Sequence, residues 1–320
     1  MLAYVIRRLG YGAVVVLGVL LFLFVLFFQV ASPDDVARRA VGEKAPPEVV
    51  EQWKVNHGYD KPLWPWDGWS DNLLFDHYRK LLTFDFGRSD ADDVPIIQRI
   101  RAGVAPSLAL TLPMFALGLL LSILLALFVS FFRETYIDRY GVLICVLGMS
   151  VSMLLYIVGA QYAIGKLLRW FPISGFDGHP AVAARFLAMP VIVGVLGALG
   201  SNVRFYRTVF VEEVGRDYVR TARAKGAGEG RIMMFHVLRN ALIPILTQVV
   251  IAIPFLFTGS LLLESFFGIP GLGSIMVDAI NGNDFSTMRT LVFIFSLLFI
   301  FGQILTDLSY ALVDPRVRLE

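Results

Sequence analysis

Residues 204–239 read RFYRTVFVEEVGRDYVRTARAKGAGEGRIMMFHVLR, a charged stretch between two apolar runs of an otherwise oily chain. It holds eight Lys/Arg and four Asp/Glu. At its centre Ala222, Ala224 and Ala227 alternate with cations and meet the glycines Gly226, Gly228 and Gly230. The flanking runs fit membrane helices, so this stretch is a long loop at one membrane face. Small residues among cations suit a surface on which another molecule docks.

Composition agrees outside the loop. The chain has 320 residues, 57% hydrophobic and 17% charged, with a mean hydropathy of +0.68. These values belong to polytopic membrane proteins rather than soluble domains. A net charge of only +2 carries no nucleic-acid footprint. Cys145 is the single cysteine, so an intramolecular disulfide is ruled out.

A bilayer core of roughly 30 Å takes about 20 apolar helical residues. Six stretches approach this length: near 9–31, 103–131, 140–165, 186–203, 241–263 and 290–312. The expected fold is therefore all-α, a six-span membrane protein. The first uncharged run is too long for a signal-peptide core and is read as a retained helix. Gly194, Gly197 and Gly200 give the fourth span a face for close helix contact. Prolines 113, 190, 244 and 254 kink or start helices.

Six spans put both termini on one side. Arg7, Arg8, Arg133, Arg139, the eight cations of 204–239, Arg316 and Arg318 make fourteen of the 28 Lys/Arg on that side. The short opposite loops hold only Lys166, Arg169, Arg185 and Arg289. The positive-inside rule then places the termini and 204–239 in the cytoplasm. Three regions result: the N-terminus and first helix (1–31), an extracytoplasmic segment (32–101), and a five-helix core (102–320) that includes the cytoplasmic loop 204–239. The extracytoplasmic segment is punctuated by prolines and carries Trp53, Trp64, Trp66 and Trp69. Short surface helices are expected there, with these rings at the headgroup level or packed together.

Chemistry-bearing motifs are absent. There is no G-x-x-x-x-G-K-[ST] loop, no H-E-x-x-H, no G-x-S-x-G and no Cys/His ligand spacing, so no catalytic, cofactor or metal residue is assigned. Asp90, Asp92 and Asp93 read as a solvated acidic loop. Polar residues within spans are costly and often functional. Ser152, Tyr156, Gln161, Gln248 and Gln303 are the candidates for lining a pathway or for bonding between helices. Asp307, near the inner end of its span, fits either reach to cytoplasmic water or pairing with an arginine at an interface. Glu264 and the turn Gly268, Pro270, Gly271, Gly273 mark the outer end of the fifth span. A secondary transporter driven by an ion gradient is the alternative class; its mark would be acids in mid-span.

Several strings together resemble one family along the whole chain. D-Y-V-R-T-A-R-A-K-G (217–226) with H-V-L-R-N-A-L-I-P (236–244) looks like the signature loop of ABC importer permeases of the dipeptide/oligopeptide branch. Y-V-I-R-R-L (4–9), F-D-F-G-R-S (84–89), E-S-F-F-G-I-P-G-L-G (264–273) and D-P-R-V-R (314–318) resemble its other elements. Phe84 stands where that branch usually has Gly. Arg220 and Thr221 stand at the Glu-Ala of the general permease signature, and Arg239 where its later Pro would be.

The resemblance implies a permease subunit in a bacterial inner membrane that pairs with a second homologous permease, as a heterodimer. Two ATPase subunits, which bind ATP and Mg, and an extracytoplasmic substrate-binding protein complete the importer, with membrane lipid around it. It also implies that Arg216, Asp217, Arg220, Thr221, Ala222, Arg223, Ala224, Lys225, Gly226, Ala227 and Gly228 form an ATPase-coupling helix with its turn. The Glu264–Gly273 loop would lie by an outer gate, on the binding-protein side. The residues suit this. A helix over 215–225 brings small side chains and cations to a partner, and Gly226 ends it at a positive φ.

Overall fold

In a bilayer core every backbone N–H and C=O must be satisfied inside the protein, which leaves a long apolar run little choice but helix. The computed structural model describes residues 2–30, 32–66 and 71–313. Among these the regular structure is helical, apart from one isolated bridge between Arg88 and Pro95. Helix α1 (Leu2–Phe24) continues as a π turn, Val25–Val30. Three short helices follow: α2 (Pro33–Val41), α3 (Pro47–His57) and α4 (Leu73–Leu82). Then come α5 (Ile96–Phe131), α6 (Tyr136–Ser150), α7 (Met153–Ala160, extended by a π turn Gln161–Leu167) and α8 (Pro180–Val214). The rest are α9 (Asp217–Ala224), α10 (Glu229–Arg231), a π turn Ile232–Val237, α11 (Leu238–Thr258), α12 (Leu261–Phe267), α13 (Leu272–Asn281) and α14 (Phe285–Val313).

Five segments are long and apolar enough to cross a membrane: Ile6–Val30, Ile96–Phe131, Val182–Val214, Glu229–Thr258 and Phe285–Asp307. The α6–α7 pair, bent by 89°, supplies the remaining crossing. The α12–α13 pair, bent by 81°, enters and leaves at one end. Asp138 at the start of α6 meets Arg207 at one end of the bundle, and Gln161 after α7 meets Phe266 of α12 at the other. Glu264 of α12 and Leu272 of α13, by contrast, both bond Ser107; α14 accordingly runs antiparallel to α1. Phe285 stacks edge-on against Phe27 near one end, and Arg8 pairs with Asp307 at 2.8 Å near the other. Six crossings result, as the hydropathy suggests.

Their outlines differ from the sequence reading in three places. The fifth crossing ends at Thr258 rather than 263, because Leu261–Phe267 belongs to the re-entrant pair. The third span is broken, and its break is built by side chains. Ser152 caps α7 by accepting from Leu154 N–H at 3.3 Å. The Tyr156 hydroxyl donates to the Gly148 carbonyl at 2.9 Å, at the end of α6. The fourth span does not stop at 203. It continues to Val214, so residues 204–214 are helix rather than loop. Polar side chains on one face end an apolar run, but they do not end a helix.

Close packing explains the glycines of α8. A Cβ at Gly200 would lie 2.6 Å from the Cys145 carbonyl of α6, and one at Gly197 would lie 2.8 Å from Met153 Sδ of α7. Gly194 meets Met114 of α5. Glycines three apart thus seat three neighbouring helices against one. At the α9 end of the bundle Arg207 of α8 grips Asp138 of α6 with two hydrogen bonds, 2.6 and 2.7 Å.

The short helices start and stop as their sequences dictate. Ser32 caps α2, accepting from Asp35 N–H at 3.2 Å, with Pro33 at its first position. Asn72 caps α4 through Phe75 N–H at 2.8 Å. Gly58, at φ +69°, ends α3, and Tyr59 N–H reaches back to the Lys54 carbonyl at 2.8 Å. Trp64 packs on Trp66 (centroids 5.0 Å apart) and edge-on to Phe24 at 5.4 Å. Trp53 stacks on His57 instead, at 4.0 Å. Trp69 and the 314–318 string lie outside the described residues.

Candidate functional site: a surface helix at one end of the bundle

Helix α9 is short, and its two faces differ. Val219 is fully buried and Ala222 is 8% exposed, three residues apart on one face. They pack with Phe210 and Val214 of α8 and with Ile232 and Met233 of the next span. Burying Val219 stabilises this seat by roughly 1.5–3 kcal/mol. Tyr218 adds a tether, its hydroxyl donating to Glu213 at 2.6 Å. Burial, followed by the Glu213 carboxylate, pushes that hydroxyl's pKa up to about 12. The seat joins α9 to the fourth and fifth crossings at once.

The helix ends where glycine permits. Gly226 has φ +80°, a conformation that side chains with a Cβ rarely adopt. Gly226 N–H bonds the Arg223 carbonyl at 2.9 Å, and Ala227 N–H bonds the Ala222 carbonyl at 3.1 Å. These two reversed bonds form a Schellman cap, and Ala227 packs against the same apolar cluster as Ala222. The helix spans 217–224 within the expected 215–225, and the next one starts at Glu229.

The outward face carries Asp217, Arg220, Thr221, Ala224 and Lys225, with Arg216, Gly226 and Gly228 also exposed. Two expectations change here. Ala222 points inward, so of the two alanines only Ala224 offers a partner a close approach. Three of the four cations already have acids within the chain. Arg216 pairs with Glu212 at 2.7 Å and Arg220 with Asp217 at 3.4 Å. Arg223 holds Glu229 with bonds of 2.6 and 3.0 Å across the glycine turn. The Arg216 and Arg220 pairs are exposed and weak, so a competing acid can displace them. The Arg223–Glu229 pair straps α9 to the following span.

At the opposite end Glu264 is fully buried. Oε1 accepts from Ser107 Oγ at 2.8 Å and Ser260 N–H at 3.1 Å; Oε2 accepts from Gly273 N–H at 2.7 Å and Ser274 N–H at 3.1 Å. The carboxylate therefore clamps the re-entrant pair onto α5. Gly268, at φ +64°, ends α12, and a Cβ on Gly273 would stand 2.8 Å from the Ser260 carbonyl carbon. Gly271 caps α13, and Pro270 stays exposed.

The lining candidates separate. Ser152 and Tyr156 build the bend. Gln161 donates to the Phe266 carbonyl at 2.9 Å and the Ile173 carbonyl at 3.3 Å, tying α7 to the re-entrant pair. Gln303 lines a cavity of about 320 Å³ between α11 and α14, beside Pro254, Thr306 and Asp307. Gln248 lies on the exposed face of α11. Asp90 departs from a solvated reading: it accepts from Ser286 N–H at 2.8 Å and Ser286 Oγ at 2.9 Å. The Asp138–Arg207 pair was missed by sequence reasoning. Only a charge at each of two span ends, 69 residues apart, signals it.

Six crossings, a re-entrant pair and a surface helix seated on two crossings are the parts of a membrane permease. The chain belongs to the binding-protein-dependent transport system inner membrane component family, the ABC importer permeases. That family's model matches residues 107–319, and the model of its N-terminal region matches residues 1–81. Among relatives, a peptide transport system permease protein of Brucella abortus is 30% identical over 329 residues, covering 100% of both chains. A glutathione transport system permease protein of Salmonella typhimurium is 32% identical over 331 residues, covering 99% of both. The corresponding protein of Pectobacterium atrosepticum is 32% identical over 327 residues, again 99% of both.

Proposed function

We propose that this chain is one permease subunit of an importer for short peptides, driven by ATP hydrolysis on partner subunits. The observation that carries the coupling step is α9, a rigid helix whose inner face is built into two crossings and whose outer face is free. A partner that grips the outer face moves α8 and the Glu229–Thr258 span together, the kind of rigid-body shear that converts closure into alternating access. The peptide class rests on the full-length similarity to peptide and glutathione permeases.

The remaining parts follow from this reading. A second, homologous permease completes the pathway, two ATPase subunits bind ATP and Mg at the α9 end, and a substrate-binding protein delivers cargo at the re-entrant end. The termini and α9 then face the cytoplasm of a bacterial inner membrane, in line with the positive-inside count.

The test is reconstitution. The chain is co-expressed with the ATPase and permease genes beside its own, and the purified complex is placed in liposomes. ATPase subunits should copurify, and their turnover should rise when binding protein and dipeptide are both added. Recovery of the chain without an ATPase, with uptake that follows a proton or sodium gradient, would replace this reading with a secondary transporter.

A further inference from the structure

Helix α4 has two faces of different character. Leu73, His77 and Leu81 are buried, and the opposite face carries Phe75, Arg79 and Leu82, all exposed. The flank with Asp76 and Lys80 lines a cavity of about 480 Å³. The helix rests on the first crossing. The Tyr78 hydroxyl donates to the Leu17 carbonyl at 2.9 Å, and His77 Nε2 lies 3.0 Å from the Leu20 carbonyl. Just past the end of α4, Phe84 packs on Phe293 of α14, with centroids 6.4 Å apart.

These contacts set the depth of α4. At about 1.5 Å per residue, Leu20 and Phe293 stand about 18 Å and about 21 Å from the Arg8–Asp307 pair near the far ends of their helices. A hydrocarbon core of roughly 30 Å that begins at that pair ends about 10 Å beyond both. About one helical turn further out, Trp64 meets Phe24 and stacks on the exposed Trp66, a level where tryptophan marks an interface. On the same stretch of α1, Leu17, Leu21 and Phe22 are exposed as well. The outer face of α4 therefore stands at acyl-chain depth beside other lipid-facing residues. A cation at that depth needs a polar partner. Among the described residues Arg79 pairs with no acid. Its long apolar stem can carry the guanidinium outward to a phosphate, whose oxygens suit its forked donors.

We propose that α4 is submerged in the leaflet at the re-entrant end, with its outer face against a phospholipid. Acyl chains lie on Phe75 and Leu82, and Arg79 holds the headgroup phosphate. The contact stands independently of the peptide reading, because it needs only a bilayer.

The experiment is spin-label accessibility on the full-length chain in liposomes of phosphatidylcholine and phosphatidylglycerol. Phe75→Cys and Leu82→Cys are labelled one at a time in a Cys145→Ala background, which removes the single native cysteine. Phe22→Cys is the lipid reference and Lys44→Cys, exposed between α2 and α3, the water reference. Labels on α4 should collide with oxygen in preference to a water-soluble nickel chelate, as at Phe22, and should read about 5–10 Å inside the acyl boundary. Preference for the chelate, as at Lys44, overturns the proposal. Weak collision with both also overturns it, because a protein partner rather than lipid would then cover the face. Native mass spectrometry reads the headgroup contact. Arg79→Gln should retain one phosphatidylglycerol fewer than wild type, and an unchanged count overturns the role of Arg79. Two label sites on one exposed face keep the test intact if either variant misfolds.

Discussion

Replacing Glu264 should unlatch the re-entrant pair, and the cost can be worked from its four donors. Glutamine keeps one acceptor oxygen. With that oxygen serving Gly273 and Ser274, the new amide nitrogen faces Ser260 N–H and the Ser107 hydroxyl. Ser107 can rotate to accept, although it already accepts from Leu272 N–H at 2.7 Å. The Ser260 N–H cannot adapt and is orphaned at about 1–3 kcal/mol. The bonds that remain lose their charge assistance, which brings the total to roughly 2–5 kcal/mol. Alanine removes both oxygens and orphans all four donors, for a loss on the order of 4–12 kcal/mol, comparable to the whole stability of a domain. The assay is size-exclusion recovery of detergent-solubilised chain after a heating series. Glu264→Gln should lower the midpoint by at least about 4 °C, at about 2 °C per kcal/mol for a large domain. Glu264→Ala should yield no monodisperse peak. An alanine variant that melts with wild type would refute the clamp.

The Phe84 backbone sits at φ +57°, at the C-terminal turn of α4, where Asp85 N–H reaches the Lys80 carbonyl at 2.9 Å. Phe84→Gly should relieve about 1–2 kcal/mol of left-handed strain, less the ring's partial contacts with Phe86 and Phe293, and raise the same melting midpoint; a clear drop would show that the ring contacts dominate. Asp138→Asn and Arg207→Gln should each shorten the inactivation half-life, with a coupling energy of about 1–3 kcal/mol in a double-mutant cycle; strictly additive losses would mean that the pair does not join α6 to α8. Gly200→Val should push α6 off α8 and destabilise by about 1–3 kcal/mol, while Gly10→Val, with nothing within 4 Å, should be close to neutral. Equal behaviour of the two glycine variants would contradict the packing account.

Much of the fold was legible because hydropathy and charge act locally. Apolar length marked the six crossings, and the T-A-R-A-K-G string marked a helix that ends at Gly226. The misread parts depend on partners distant in sequence. The third crossing bends at Ser152 because a capping hydroxyl and the reach of Tyr156 to Gly148 satisfy the broken backbone, which no apolar count reveals. The fourth crossing runs on to Val214 because Val203, Tyr206 and Phe210 keep an inward stripe beneath the charges. Glu264 read as a lone carboxylate at a span end, whereas its meaning lies in Ser107, 157 residues away. Ala222 and Ala224 look alike in sequence, and only the helical phase set by Val219 sends one in and one out.

The central claim, that α9 is the face gripped by the ATPase, is tested most directly by photocrosslinking from α9 and from the first span in the assembled complex. A photoreactive residue placed at Ala224 or Lys225, both exposed, should crosslink to the ATPase subunit. The same residue at Leu17, which is exposed on the first span, should not. Crosslinks from Leu17 but none from α9 would contradict the account, because the helix seated on two crossings would then be gripped by nothing that hydrolyses ATP.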